Sequence, residues 1–282
     1  SDVCSSDLHL LLLAILQGIT ELFPISSLGH SILVPALLNW RINREAAWFL
    51  PYIVVLHLGT ATALFIYFWR DWFTLLGGAW KARGNLNNPH ARLFWLLVVG
   101  TIPAGILGLL LEHKIKALFG SFVVAAVFLM INGIVLFIGD ALKRRAARHQ
   151  LADMSWWRAV GIGCAQALAL IPGISRSGAT LVAGVWSGLD YASSARFSFL
   201  LATPIIGAAG LLEVPQLIKH RTTMPEGLLL TLIMGGLLAG IFAWLSTWFL
   251  MKYFKRHEMA ALRPFGIYCL LAGAIALLMH YA

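Results

Sequence analysis

The sequence predicts an all-α, polytopic membrane protein with six transmembrane helices plus two re-entrant helical hairpins in an inverted repeat. Three observations predict it. Hydrophobic residues make up 60% of the 282-residue chain and charged residues only 12%, about half the usual share in soluble proteins. Apolar runs long enough to cross a bilayer recur along the chain, and basic residues gather in alternate connections between them. A soluble enzyme, a disordered chain and a disulfide-stapled secreted fold are all excluded by this composition. The net charge of +9 is set by short loops rather than by one basic face, so no nucleic-acid partner is expected.

Residues 1–8, SDVCSSDL, carry neither the basic n-region nor the cleavage site of a signal peptide. They read as a non-native N-terminal scar and are set aside together with Cys4. Residues 9–282 form one integral membrane domain. Six runs, at 48–69, 93–111, 119–139, 195–212, 227–251 and 262–281, reach the ~20 residues needed to span ~30 Å of hydrocarbon. Two further apolar regions, 8–39 and 156–190, are interrupted around Pro24 and Pro172. Their fragments of roughly 10–16 residues are too short to span and fit re-entrant segments. Cys164 and Cys269, within apolar runs, are expected to be reduced and buried.

Loop charge tests this division. Arg70, Lys81, Arg83 and Arg92 follow the first span; Lys143, Arg144, Arg145, Arg148 and Arg158 follow the third; Lys252, Lys255, Arg256 and Arg263 follow the fifth. The intervening loops hold only Lys114 with Lys116, and Lys219 with Arg221. The rich loops are therefore cytoplasmic, which requires 156–190 to enter and leave on one side. Trp40, Trp48, Trp69, Trp72, Trp156 and Trp157, near span ends, fit interfacial belts. Arg196 and Asp190 read as anchors of a span end.

Residues 17–30 (QGITELFPISSLGH) and 166–180 (QALALIPGISRSGAT) share Gln, a later Pro, Ile-Ser and a nearby Gly. Each is followed by three spans, so repeat one (about 9–140) and repeat two (about 156–282) are expected in opposite orientations, with their broken tips meeting near the midplane. The first segment enters from outside and the second from the cytoplasm.

Polar groups inside such segments are costly and by default functional. Glu21 precedes Pro24 in an apolar run, while Ser27 and His30, three apart, share a face of the short helix that follows. A serine beside a histidine suggests a nucleophile with a proton-transfer partner; the bland alternative is that Ser26 or Ser27 merely caps the half-helix. Ser26 is read as the cap and Ser27, with His30 and Glu21, as the chemistry. In the second segment Arg176 stands among Ser175, Ser177 and Thr180 at a helix N-terminus, which suits a phosphate; the alternative is a structural ion pair with Glu21. Gln17 and Gln166 are either donors to the same oxygens or ordinary inter-helix bonds. His57 reads as a satisfied buried histidine. The sequence shows no metal-ligand cluster and no nucleotide-binding loop.

These residues carry a family likeness. LQGITELFPISSLGH and PGISRSGAT resemble the two signature motifs of the undecaprenyl pyrophosphate phosphatase family, the bacitracin-resistance type, and RFSFLLATP at 196–204 resembles a third stretch. The resemblance runs from about residue 9 to the C-terminus. It implies a bacterial inner-membrane enzyme that removes the terminal phosphate of undecaprenyl pyrophosphate, recycling the lipid carrier for peptidoglycan synthesis and conferring bacitracin resistance. Carried over residue by residue, it places the acidic residue on Glu21, the serine on Ser27, the histidine on His30 and the phosphate-binding set on Ser175, Arg176, Ser177 and Thr180. Glu21, Ser27, His30 and Arg176 are read as catalytic, and Gln17, Ser26 and Gln166 are added from residue type and position alone as further phosphate donors. Two positions depart from the motif: Gln17 stands where a second carboxylate is common, and Leu28 where a Thr is common. The resemblance also implies Mg2+ or Ca2+, with Glu21 as the candidate ligand, and no organic cofactor. The partners expected are a polyprenyl diphosphate lipid and the bilayer, with a homo-oligomer as an option, and the site is expected to face the periplasmic side. Direct attack by water with His30 as base stands beside attack by Ser27. The alternative function is a transporter or flippase for a polyprenyl phosphate lipid, since broken helices in inverted repeats are a transporter architecture.

Overall fold

The computed structural model describes residues 2–40, 42, 48–118, 120–143, 151–219, 227–257 and 259–281. Arg144, Arg145, Arg148 and Arg221 lie outside the described residues. Among those described there are eleven α-helices and no strand: α1 (Asp2–Thr20), α2 (Ser27–Leu37), α3 (Phe49–Tyr67), α4 (Trp69–Ala82), α5 (Pro89–Leu118), α6 (Phe122–Lys143), α7 (Trp156–Leu168), α8 (Arg176–Trp186), α9 (Tyr191–Lys219), α10 (Leu228–Arg256) and α11 (Arg263–Tyr281).

Helices α5, α6, α9, α10 and α11 are long and apolar enough to cross a membrane, and the number is six if the bent pair α3–α4 counts as one span. The chain is a polytopic membrane protein, and each expected span coincides with one of these helices. By contrast α2, α7 and α8 have only 11, 13 and 11 residues, too short for a ~30 Å crossing.

One element departs from the sequence reading. Residues 69–82, read as part of a loop, form α4, which leaves the axis of α3 at 74°. Its Trp72 and Leu75, three apart, are buried, while Phe73, Leu76 and Trp80 are exposed among Arg70 and Lys81. An amphipathic helix of this kind lies in the interface plane; Arg83, with a left-handed φ of 45°, ends it. Trp72 thus packs inward instead of joining an interfacial belt. Cys164 is exposed on α7, because the opposite face of that helix packs on α5, whereas Cys269 is buried.

Contacts between helix ends sort the chain into two sides. At one end Arg196 of α9 pairs with Asp71 of α4, the Arg92 guanidinium donates to the Met154 carbonyl at 3.3 Å, and buried Asp140 accepts from the Tyr191 hydroxyl at 2.5 Å and the Leu262 N–H at 3.1 Å. At the other, the Tyr52 hydroxyl donates to the Leu10 carbonyl, His9 stacks on Trp40 and Phe122 on His280. These contacts join segments that loop charge assigns to a common side.

Helix pairing has an internal symmetry. α1 lies against α10 and α7 against α5, while α3 meets α9 and α6 meets α11. Exchanging α1, α2, α3, α5 and α6 with α7, α8, α9, α10 and α11 maps the first two pairings onto each other and the last two onto themselves. Small residues make the contacts, as they do where membrane helices approach closely without hydrophobic drive. Gly18 of α1 abuts the Ala239 backbone, Gly163 of α7 abuts the Gly100 carbonyl, and Gly59 of α3 abuts that of Gly236. A methyl on Gly163 would strike backbone, whereas one on Gly161 of the same helix would meet open space. Gly163→Ala is therefore expected to lower the melting temperature of the detergent-solubilised protein, by an overpacking cost of about 1–3 kcal/mol, while Gly161→Ala holds or raises it.

Candidate active site

The site is built by one local device used twice. After α1 the chain reaches Pro24, which has no N–H to continue a helix and restricts the residue before it. Ser26 then caps α2, its Oγ accepting the Gly29 N–H at 3.2 Å. After α7 the chain reaches Pro172, turns at Gly173 with φ +102°, and Ser175 caps α8, accepting the Gly178 N–H at 3.1 Å. Ser26 holds φ at 68°, a region non-glycine residues rarely adopt; strain of this kind, of order 1–3 kcal/mol, concentrates at functional sites.

The two tips touch. A Cβ on Gly29 would lie 3.2 Å from the Gly173 Cα, and the Ser177 hydroxyl donates to the Phe23 carbonyl at 3.1 Å. Asn132 of α6, buried at 1% exposure, ties them together. Its Nδ2 donates to the Pro24 carbonyl at 2.9 Å and its Oδ1 accepts the Ser175 N–H at 3.0 Å.

At this junction the structure brings together Gln17, Glu21, Ser27 and Arg176. Glu21, 6% exposed, is the hub. Its Oε2 accepts the Ser27 hydroxyl at 2.5 Å and Gln17 Nε2 at 3.0 Å, while Oε1 takes Arg176 Nη2 at 3.0 Å and Nε at 3.3 Å. Charge-assisted bonds are the strong ones, and a buried carboxylate needs them. The Arg176–Glu21 pair weighed from sequence is thus present. Among the described residues Nη1 has only a 3.4 Å contact to the Ser198 carbonyl.

The remaining candidates are placed differently. His30 does not bond Ser27 among the described residues: Nδ1 lies 2.7 Å from the Ser26 carbonyl, and Nε2 lies 2.7 Å from the Tyr268 hydroxyl, whose ring stacks on the imidazole. The i, i+3 spacing shares a face, but Tyr268 of α11 takes the imidazole while Glu21 takes the serine. Thr180 is turned into its own helix and toward Ser198, 2.6 Å away, and Ser175 is engaged as a cap beside Ser177 at 3.1 Å. Gln166 is 3% exposed, and neither atom of its amide has a partner among the described residues; the Gln17 Oε1 is orphaned likewise.

Sequence reasoning missed three residues here. His57 of α3 reaches Glu21, with Nε2 3.3 Å from Oε2; an ionisable group inside an apolar span was the available signal. Asn132 offered a weaker one, a lone amide in an apolar run. Tyr268 offered none.

Among the described residues no group of three or more His, Cys, Asp or Glu could hold a metal. Among the described residues Glu21 is the one carboxylate at the junction, and its two oxygens are already surrounded by donors. These residues do not make a protein cage for Mg2+ or Ca2+, which favour several oxygen ligands.

Fold and site together define an all-helical, multi-pass membrane protein with a polar centre assembled where two broken-helix tips meet. Residues 10–275 match the bacitracin resistance protein BacA family, and the chain belongs to it. Undecaprenyl-diphosphatase 2 of Chromobacterium violaceum is 59% identical over 95% of this chain and 96% of its own length. The undecaprenyl-diphosphatases of Granulibacter bethesdensis and Acidiphilium cryptum are 49% and 47% identical, covering 96% and 95% of this chain and 96% of each relative.

Replacing Asn132 by Leu would leave the Ser175 N–H without its partner and the Pro24 carbonyl with only the Cys269 thiol, 3.9 Å away, among the described residues. Each unsatisfied buried group costs about 1–3 kcal/mol, so Asn132→Leu is expected to lower the melting temperature in detergent markedly.

Proposed function

We propose that this chain hydrolyses undecaprenyl diphosphate to undecaprenyl phosphate and inorganic phosphate at the junction of the two tips. The observation that carries the reading is the convergence of the Ser27 hydroxyl and the Arg176 guanidinium on one buried carboxylate, Glu21, from opposite tips. The relatives' names supply the substrate, and the polyprenyl chain is the kind of tail a bilayer-embedded site accepts.

Ser27 is the first residue of α2 and Arg176 the first of α8, so two helix N-termini bring positive dipole ends to the junction. Arg176 turns part of its fork from Glu21 to the diphosphate and neutralises charge on the transferred phosphoryl group. Ser27 attacks the terminal phosphorus and displaces undecaprenyl phosphate, the 2.5 Å bond to Oε2 supporting Glu21 as the acceptor of its proton, and water then cleaves the phosphoserine to release inorganic phosphate. The orphaned amides of Gln166 and Gln17 are groups that ligand oxygens or ordered water would satisfy. His30, bonded to Tyr268 and Ser26, orients the start of α2; attack by water remains the competing route. We read the pairs α1–α2 and α7–α8 as re-entrant hairpins of an inverted repeat, with the site open to the periplasmic side of the bacterial inner membrane. The exchange symmetry of helix pairing is what favours a lipid-flipping role beside hydrolysis.

Purified Ser27→Ala and Arg176→Ala proteins in detergent, where no transport is possible, are expected to lose phosphate release by at least about 100-fold. Arg176→Lys recovers little of it, because a point charge does not replace a bidentate fork. Wild-type rates in both alanine variants would remove Ser27 and Arg176 from the chemistry.

A divalent cation would be carried by the oxygens of the diphosphate rather than by a protein cage, and would neutralise phosphate charge. Chelator is then expected to stop phosphate release and added Mg2+ or Ca2+ to restore it, while elemental analysis finds no metal carried by the protein alone.

A further inference from the structure

We infer that Tyr268 is a further positioning residue of this reaction: acting through His30, it braces the strained Ser26–Ser27 peptide that aims the Ser27 hydroxyl. The inference rests on the hydrolytic reading above, in which Ser27 is the nucleophile, and gives a role in it to a side chain of α11.

The tip before α2 is held in an unfavourable shape. Ser26 has φ 68° and ψ 100°, a conformation that a non-glycine residue keeps only where its surroundings over-determine it. Its carbonyl belongs to the planar peptide that leads into Ser27, so holding that carbonyl constrains how the Ser27 side chain leaves the backbone. His30 supplies two donors to it, the backbone N–H at 3.2 Å and ring Nδ1 at 2.7 Å. The ring is held in turn by Tyr268. The phenol oxygen lies 2.7 Å from Nε2, and the two rings stack with 8° between their planes and centroids 5.6 Å apart.

The second tip serves as an internal comparison. Its cap, Ser175, matches Ser26, and each accepts the N–H of the glycine three residues on. Ser175 has φ −84° and ψ 124°, an ordinary extended conformation. The residue matching His30 is Ala179, which gives its backbone N–H to the Ser175 carbonyl at 2.8 Å and has no side-chain donor to add. The imidazole and the phenol behind it thus belong to the strained tip alone of the two.

Donor chemistry then fixes the role of each group. A carbonyl oxygen only accepts, so His30 carries a proton on Nδ1; in the neutral ring Nε2 is an acceptor and the Tyr268 O–H its donor. Tyr268 therefore selects the tautomer that reaches Ser26. It also occupies the nitrogen that attack by water would need as its base.

The test compares purified Tyr268→Phe, which keeps the ring and loses the donor, with wild type. The assay is steady-state phosphate release from a short-chain polyprenyl diphosphate in detergent, with melting temperatures measured alongside. kcat is expected to fall about 10-fold with KM changed less than about threefold, the scale of one hydrogen bond. Tyr268 is 43% exposed, so the melting temperature is expected to change little. Nitrogen NMR of histidine-labelled protein, with the His30 signals assigned by their absence from His30→Gln, is expected to show the Nδ1–H tautomer in wild type and a tautomer mixture in Tyr268→Phe. A wild-type kcat, a loss carried by KM, or an unchanged tautomer would overturn the inference. So would a raised kcat, because Nε2 would then act as a base once uncovered. If Tyr268→Phe does not fold, Tyr268→Met, also without a donor, takes its place. Ser27→Ala in the same assay separates the two levels: if it retains activity, the underlying site reading fails, and if it is inactive while Tyr268→Phe keeps the wild-type kcat, only the role of Tyr268 fails.

Discussion

Everything at the centre of this protein depends on satisfying one carboxylate in a place where an unpartnered polar group is expensive. Glu21 is nearly inaccessible; its donors come from α1, α2 and α8, and the His57 ring of α3 lies 3.3 Å away. None of these elements can shift without leaving a donor or the carboxylate unsatisfied. The constraint works in both directions: the donors fix the position of Glu21, and Glu21 fixes the relative placement of the two tips. Buried ionic networks are weak evidence for stability, so their presence at a strained junction is better understood through what the site has to bind.

Close helix packing makes such a junction attainable. α2 and α8 are short and cannot hold themselves at depth, so α6 supplies Asn132 to both tips and accommodates the turn at Gly173, where a Cβ would meet the Ala125 carbonyl at 2.5 Å. α3 reaches the same place through Gly59 against α10. Each contact trades side-chain bulk for backbone proximity, which is how membrane helices gain dispersion contacts when lipid offers equal apolarity.

Much of this was legible in the sequence for simple reasons. The spans follow from run length, and the breaks follow from Pro24 and Pro172. Glu21, Ser27 and Arg176 stood out because polar groups are rare in apolar runs, and the structure does bring them to one point. What was not legible depends on partners far apart in the chain. His30 is turned from Ser27 by Tyr268, which lies 238 residues away, and nothing in a helical spacing carries that information. His57 was visible as an intramembrane histidine, but its partner was not. α4 escaped notice because its apolar positions alternate with Arg70, Asp71 and Lys81, and charge outweighed periodicity over so short a stretch.

The capping serines have one more consequence. Ser26 and Ser175 hold equivalent places, and the residue that follows each begins its helix: Ser27 in one case and Arg176 in the other. Four residues after the matching glutamines stand Glu21 and Leu170. One architecture thus carries opposite poles, a serine beside a carboxylate at one tip and a cation without a carboxylate of its own at the other. The polar junction joins two unlike tips, and any change that made them more alike would erase one of the two poles.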